Sequence, residues 1–175
     1  MEQDFIAYFI GEATAYDKKQ MLEVKRPKSW LKSVSAFANG EGGTLIFGIS
    51  DDDHIVGLTD AKGDAERISE EIKSKLDPVP AVNLELKDAD GNTLLLLHVY
   101  PGQETPYYYI GDKQRIAFVR IGNESVTADR TQLKALVLKG SGRTYDSLPS
   151  NYRFEDMAFS KLRSVHYKRL QRSFD

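Results

Sequence analysis

Ser33-Val-Ser-Ala-Phe-Ala-Asn39-Gly-Glu-Gly-Gly43-Thr-Leu-Ile-Phe-Gly48-Ile-Ser-Asp51 is the stretch on which the fold turns. Its first half belongs to a helical stripe that starts upstream. Trp30, Leu31, Val34, Phe37 and Ala38 fall at i, i+1, i+4, i+7 and i+8 and make one apolar face, with Ser29 as the candidate cap. Asn39-Gly40 and Gly42-Gly43 stop that helix. Thr44 to Ile49 then runs continuously apolar at strand length, the pattern of a strand inside a sheet. A helix delivered through a glycine turn into a buried strand predicts a mixed α/β domain.

Working upstream, Met21-Leu-Glu-Val-Lys25 alternates around Glu23 and predicts a strand closed by Arg26-Pro27, and Phe5 to Ile10 predicts a short helix. Downstream, Asp51-Asp52-Asp53 turns the chain, and His54 to Leu58 could return as a hairpin partner. Ala61, Ala65, Ile68, Ile72 and Leu76 keep steps of four, three, four and four, a helix ended by Asp77-Pro78. Val82, Leu84 and Leu86 alternate with polar residues, and Asp90-Gly91 turns them into Leu94 to Tyr100, an edge-like strand paired with a central one. Tyr107 to Ile110, Ile116 to Ile121 and Glu124 to Ala128 are further β runs, and Thr131 to Lys139 predicts a helix with Leu133, Leu136 and Val137 inward. Residues 1 to 145 therefore form the domain, and 146 to 175 a basic helical extension or the start of a further domain. That extension has Phe159, Leu162, Val165, His166 and Leu170 on one face.

The 175 residues carry 24 Lys plus Arg against 26 Asp plus Glu, a net charge of −2. Bulk attraction to nucleic acid or membrane is thereby excluded, so a polyanion must meet a local patch. Resolved along the chain, residues 151 to 175 hold six basic side chains and three acids, a local +3, which leaves −5 for residues 1 to 150. There is no cysteine, which removes disulfides, thiolate metal sites and cysteine nucleophiles. The acidic start Met1-Glu-Gln-Asp-Phe does not resemble a secretory signal, and the apolar run at Leu94 to Tyr100 is far short of the ~20 residues of a membrane helix, so a cytoplasmic location is expected.

The chemistry-bearing clusters are few. Lys25, Arg26, Lys28 and Lys32 crowd the start of the Trp30 helix, where cations and helix amides would favour phosphate; a solvated charged rim is the plain alternative. Arg115 and Arg120 could extend that patch. Glu23 and Asp51 could converge on a divalent ion if their strands are adjacent, although an Asp-rich turn is more often only a turn. Pro106-Tyr107-Tyr108-Tyr109 offers stacking surfaces of the kind single-stranded nucleic acid uses, or simply β propensity. His54, His98 and His166 lack ligand spacing. The Gly-rich turn follows a helix instead of preceding one, and neither a P-loop nor a GxGxxG fingerprint occurs.

Glu23-Val-Lys25, the segment Ser33 to Asp51, Ile55-Val-Gly57-Leu58, Pro106 to Tyr109 and Val119-Arg120-Ile-Gly122-Asn-Glu-Ser125 together resemble the AlbA-2 domain, shared by Schlafen proteins and the bacterial divergent AAA-4 group. The similarity runs through about Gly140. It implies an α+β fold, a mixed, largely antiparallel sheet with helices packed on it, serving as the N-terminal module of bacterial transcriptional regulators. It further implies nucleic-acid binding, DNA rather than RNA; the residues expected on phosphates are those of the basic cluster, Lys25, Arg26, Lys28 and Lys32, with Arg120 in support, and no cofactor is expected. An ATP-binding label also travels with the family name, though no nucleotide motif sustains it here. In ribonucleolytic Schlafens a carboxylate trio holds Mg²⁺ or Mn²⁺; Glu23 matches its second glutamate and Asp51 best matches its aspartate. Lys18 stands where the first glutamate should be, with Asp17 or Glu12 as substitutes. A metal-dependent endoribonuclease is thus the alternative activity, and a structural or dimerising module, a homodimer, the third.

Overall fold

In the computed structural model, which describes residues 14–144, 148 and 164–168, the glycine turn does join a helix to a central strand. In chain order the elements are β1 (Tyr16–Lys19), α1 (Lys28–Asn39), β2 (Gly43–Phe47), α2 (Ala61–Lys75), β3 (Leu76–Asp77), β4 (Val82–Ala89) and β5 (Asn92–Val99). They continue with β6 (Tyr108–Tyr109), β7 (Ile116–Ile121), β8 (Glu124–Thr127) and α3 (Arg130–Gly140). One sheet has the order β1-β2-β5-β4, parallel only between β1 and β2, and the other the order β3-β6-β7-β8. The architecture is α+β.

The apolar run Leu45-Ile46-Phe47 is buried on both faces, as its lack of alternation implies. Leu45, Phe47, Leu95, Leu97 and Val99 face one core with Trp30, Leu31, Val34, Phe37, Ile68 and Ile72, where Trp30 meets Phe47 edge-on at 6.1 Å. Ile46, Leu94 and Leu96 face the other way, with Ile49, Ala89 and Ile55. Each such large side chain contributes about 1.5–3 kcal/mol through burial.

Helix α1 departs from the one-faced helix that its periodicity predicts. Ser33, Ser35 and Asn39 are buried along with the apolar stripe, because α1 touches β2 and β5 of the first sheet and β6, β7 and β8 of the second. Its polar side chains replace water with backbone partners. Tyr107 and Phe118 stand opposite each other in register, one step beyond the two paired residues of β6 and β7. Ser35 and Asn39 enter at that point and complete the ladder. Ser35 Oγ donates to the Tyr107 carbonyl at 2.7 Å and accepts from the Phe118 N–H at 3.2 Å. Asn39 Nδ2 donates to the Tyr107 and Phe118 carbonyls at 3.0 and 2.9 Å, and its Oδ1 accepts from the Tyr107 N–H at 2.7 Å. The glycines after Asn39 answer to space and conformation. Gly42 has φ +82°, and a Cβ on Gly43 would lie 2.4 Å from the Phe37 ring.

Several local expectations are corrected. Met21 to Lys25 is not a strand: the first strand lies upstream at β1, and residues 20–27 are turns held by Val24 N–H to Leu22 O and Arg26 N–H to Glu23 O. Only Leu22 of that segment reaches the core, while Met21 and Val24 stand exposed. Helix α1 begins at Lys28 with Pro27 at its cap position and no side-chain cap, so Ser29 lies inside the helix. Residues His54 to Leu58 form no hairpin strand, only an isolated bridge between Ile49 and Ile55. In α3, capped by the reciprocal Asp129–Gln132 box, Leu136 and Leu138 are buried and Val137 is exposed.

The chain divides into two units, Met1–Arg143 and Thr144–Asp175. In the second, residues 164–168 are helical, with Val165 exposed. The predicted helix Phe5 to Ile10, together with Phe159, Leu162 and Leu170, lies outside the described residues.

Candidate nucleic-acid interface

Because β1 and β2 run parallel, the segments leaving them emerge at the same end of the sheet. The 20–27 segment follows β1, the Asp51 turn follows β2, and α1 starts beside them. Two open concavities meet there and share Ser29 and Lys32. One, of about 470 Å³, is lined by Lys25, Arg26, Pro27, Lys28, Ser29, Lys32 and Asp112. The other, of about 440 Å³, is lined by Lys18, Lys19, Gln20, Met21, Glu23, Ser29, Lys32 and Asp51.

The first concavity gathers all four cations of the sequence cluster. Among the described residues no hydrogen bond or ion pair engages the side chains of Lys25, Arg26 or Lys32, whereas Lys28 Nζ donates to Gln114 Oε1 at 2.7 Å and lies 5.6 Å from the Tyr109 ring centroid. The first turn of α1 contains no acidic residue, so nothing on the helix neutralises the positive end of its dipole, and Lys28 and Lys32 add to it. Ser29 Oγ is buried at the junction with no hydrogen-bond partner among the described residues. Among the described residues Asp112 is the single carboxylate lining this concavity, and it accepts the Tyr109 hydroxyl at 2.8 Å. Burial, then that hydrogen bond, pushes the Tyr109 phenol up to about 12.

Glu23 and Asp51 line the second concavity, although Glu23 sits in a turn instead of on a strand. Three lysines accompany them. Lys18 ion-pairs with Asp53, and Asp17 is occupied by Ser33 Oγ at 2.6 Å and Lys19 Nζ at 2.9 Å. Glu12 lies outside the described residues. Mg²⁺ and Mn²⁺ take several hard oxygen donors. Here two carboxylates oppose three ammonium groups, and among the described residues no three of His, Cys, Asp and Glu come together to hold a metal. These residues do not fit such an ion.

Arg120 lines neither concavity. It donates to the carbonyls of Thr14 and Tyr16 at 3.3 and 3.2 Å and to Ser125 Oγ at 3.1 Å, with its guanidinium 4.9 Å from the Phe37 ring centroid. Burial draws its pKa down and Asp17 opposes that. It ties the entry of β1 to β8 and α1. Arg115 is likewise engaged, with Asp77 at 2.9 Å and over the Tyr108 ring at 4.1 Å. Of the three tyrosines, Tyr107 and Tyr109 are buried and offer no stacking surface, as the alternation of one strand requires. His54 pairs with Asp52, and His98 lies between Thr44 Oγ1 and Glu85.

Sequence reasoning reaches Lys18 only as the cation standing where a glutamate is expected, and it misses Lys19 and Ser29 as parts of this surface. The Lys18-Lys19 pair was the available signal. Placing the first strand five residues too late hid that it ends beside the α1 cluster.

A family model described as Schlafen, AlbA_2 matches residues 12–129. No curated protein matches the chain. Among solved structures, the fold is similar to the N-terminal domain of an ATP-dependent DNA helicase RecG-related protein from Nitrosomonas europaea, with TM-score 0.55, 22% identity, and coverage of 74% of this chain and 92% of that one. It is also similar to a Corynebacterium diphtheriae protein, with TM-score 0.58 and 18% identity over 95% of this chain. The chain spans 32% of that protein's length. Among the described residues no helix is long and apolar enough to cross a membrane.

Proposed function

The chain belongs to the Schlafen AlbA_2 family, and from that premise we propose that it binds nucleic acid, DNA in the first instance, by seating backbone phosphates in the concavity at the start of α1. The observation that carries this reading is the convergence of Lys25, Arg26, Lys28 and Lys32 on one open surface, three of them without a protein partner among the described residues. Such cations, left in water beside an uncompensated helix N-terminus, gain more from a phosphate than cations already paired within the protein would. Lys18, paired with Asp53, and Lys19, paired with Asp17, flank the same surface. The shared fold with the N-terminal domain of a DNA helicase RecG-related protein favours DNA as the first polymer to try.

Phosphate contacts carry no sequence information, so the binding is salt-dependent and weakly selective. Four contacts on duplex DNA give a slope of about −3.6 in log K against log salt, and a loss of roughly 150-fold in affinity between 50 and 200 mM salt. Fluorescence anisotropy with a labelled duplex measures it. Neutralising Lys25 or Lys32 to Gln should flatten the slope by about 0.9 each. A slope near zero, or variants with unchanged slope, overturns the reading. The same titration with single-stranded DNA and with structured RNA ranks the polymers.

A further inference from the structure

Strand β4 is the outer strand of the first sheet, and among the described residues none pairs with its free edge. Its eight residues pair with β5 in one unbroken register, without a bulge to twist the edge away. The direction of its backbone groups follows from one bond. Tyr100 N–H donates to Ala81 O at 3.0 Å, so Ala81 points toward β5. Alternation then sends the N–H and C=O groups of Val82, Leu84, Leu86 and Asp88 to the open side.

From this edge we propose that β4 pairs antiparallel with β4 of a second copy of the chain, about a two-fold axis at Leu86. A two-fold pairing can centre on an outward-pointing residue, Val82, Leu84, Leu86 or Asp88, or on an inward-pointing one. Among the latter, a Glu85 or Lys87 centre sets that charge against its own like, and an Asn83 centre pairs no charges. Only the Leu86 centre matches charge. It sets Glu85 opposite Lys87 on both sides of the axis, Leu86 against Leu86, and Leu84 against Asp88. Glu85 and Lys87 direct their backbone groups to β5, so their cross-copy pairs are of the non-hydrogen-bonded kind, in which side chains approach most closely. Leu86, exposed as a large apolar side chain, loses water against its twin. About six backbone hydrogen bonds form, and the two four-stranded sheets become one continuous sheet. Centring on Leu84 would place Glu85 against Asn83, and centring on Asp88 would place Lys87 against Ala89; neither pairs opposite charges.

Sedimentation velocity over a concentration series tests this with the full chain. A mass approaching twice 19.7 kDa is expected at high concentration. Lys87→Glu puts like charges opposite each other twice and should weaken the dimer about ten-fold. Exchanging both residues, Glu85→Lys with Lys87→Glu, should restore it, which a merely destabilised monomer would not do. Leu86→Pro removes an N–H that faces solvent in the monomer, where proline is tolerated, and should abolish pairing while Trp30 fluorescence stays native. A chain that remains monomeric throughout overturns the proposal. So does a dimer of equal strength in Lys87→Glu and Leu86→Pro.

Discussion

Replacing Asn39 by Ala removes the wedge between Tyr107 and Phe118, and its cost follows from counting the groups left behind. Asn39 is 3% exposed, so water does not take its place. The Tyr107 carbonyl keeps a partner in Ser35 Oγ, whereas the Tyr107 N–H and the Phe118 carbonyl lose the bonds they make to Asn39. A buried backbone group left unsatisfied costs about 1–3 kcal/mol, so Asn39→Ala should destabilise by about 2–6 kcal/mol. Set against a typical total of roughly 5–15 kcal/mol, that is a large fraction of the stability. Ser35→Ala orphans only the Phe118 N–H and should cost about 1–3 kcal/mol. Asn39→Asp keeps the acceptor toward Tyr107 N–H but turns an oxygen on two carbonyls, and should be at least as damaging as alanine. Equilibrium urea unfolding followed by the fluorescence of Trp30, the single tryptophan and 1% exposed, reports all three. A loss below 1 kcal/mol for Asn39→Ala, with an unchanged denaturant slope, would refute the wedge.

Gly43→Ala drives a methyl group to 2.4 Å from the Phe37 ring and 2.8 Å from the Ala15 carbonyl, and should destabilise by about 1–3 kcal/mol in the same unfolding assay. The Tyr109 phenol is raised to about 12 in the folded chain against an ordinary value of 10.0, so its contribution to stability is complete below pH 10 and lost as pH climbs to 12. Tyr109→Phe should therefore flatten the fall in stability across that window, and ultraviolet titration of the variant should lose the phenol that ionises at about pH 12. Lys18→Glu puts a third carboxylate beside Glu23 and Asp51 and releases Asp53. Calorimetric titration with Mn²⁺ should show binding to that variant and none to the parent chain, and metal binding by the parent would contradict the account of the cleft.

Periodicity and turn chemistry alone determined that α1 precedes a buried central strand, that Ala61 to Lys75 is a helix, and that β4 and β5 form a hairpin. These signals are local, since side chains three or four apart meet on a helix and a two-residue turn sets strand register. They also marked the cations at Lys25, Arg26, Lys28 and Lys32, because the cluster is contiguous in sequence. Tertiary structure decided the rest. Met21 to Lys25 alternates like a strand, yet the parallel partner of β2 is Tyr16–Lys19, a choice made by distant pairing that no local pattern encodes. Arg120 carries the same charge as Lys25, and only its neighbours Thr14, Tyr16 and Phe37, brought from far along the chain, make it a clamp instead of a free cation. Ser35 and Asn39 show the same limit. On a helix whose stripe points to one sheet they would face water, and it is the second sheet, closing over the opposite side of α1, that turns two solvent-seeking side chains into the bonds joining its strands.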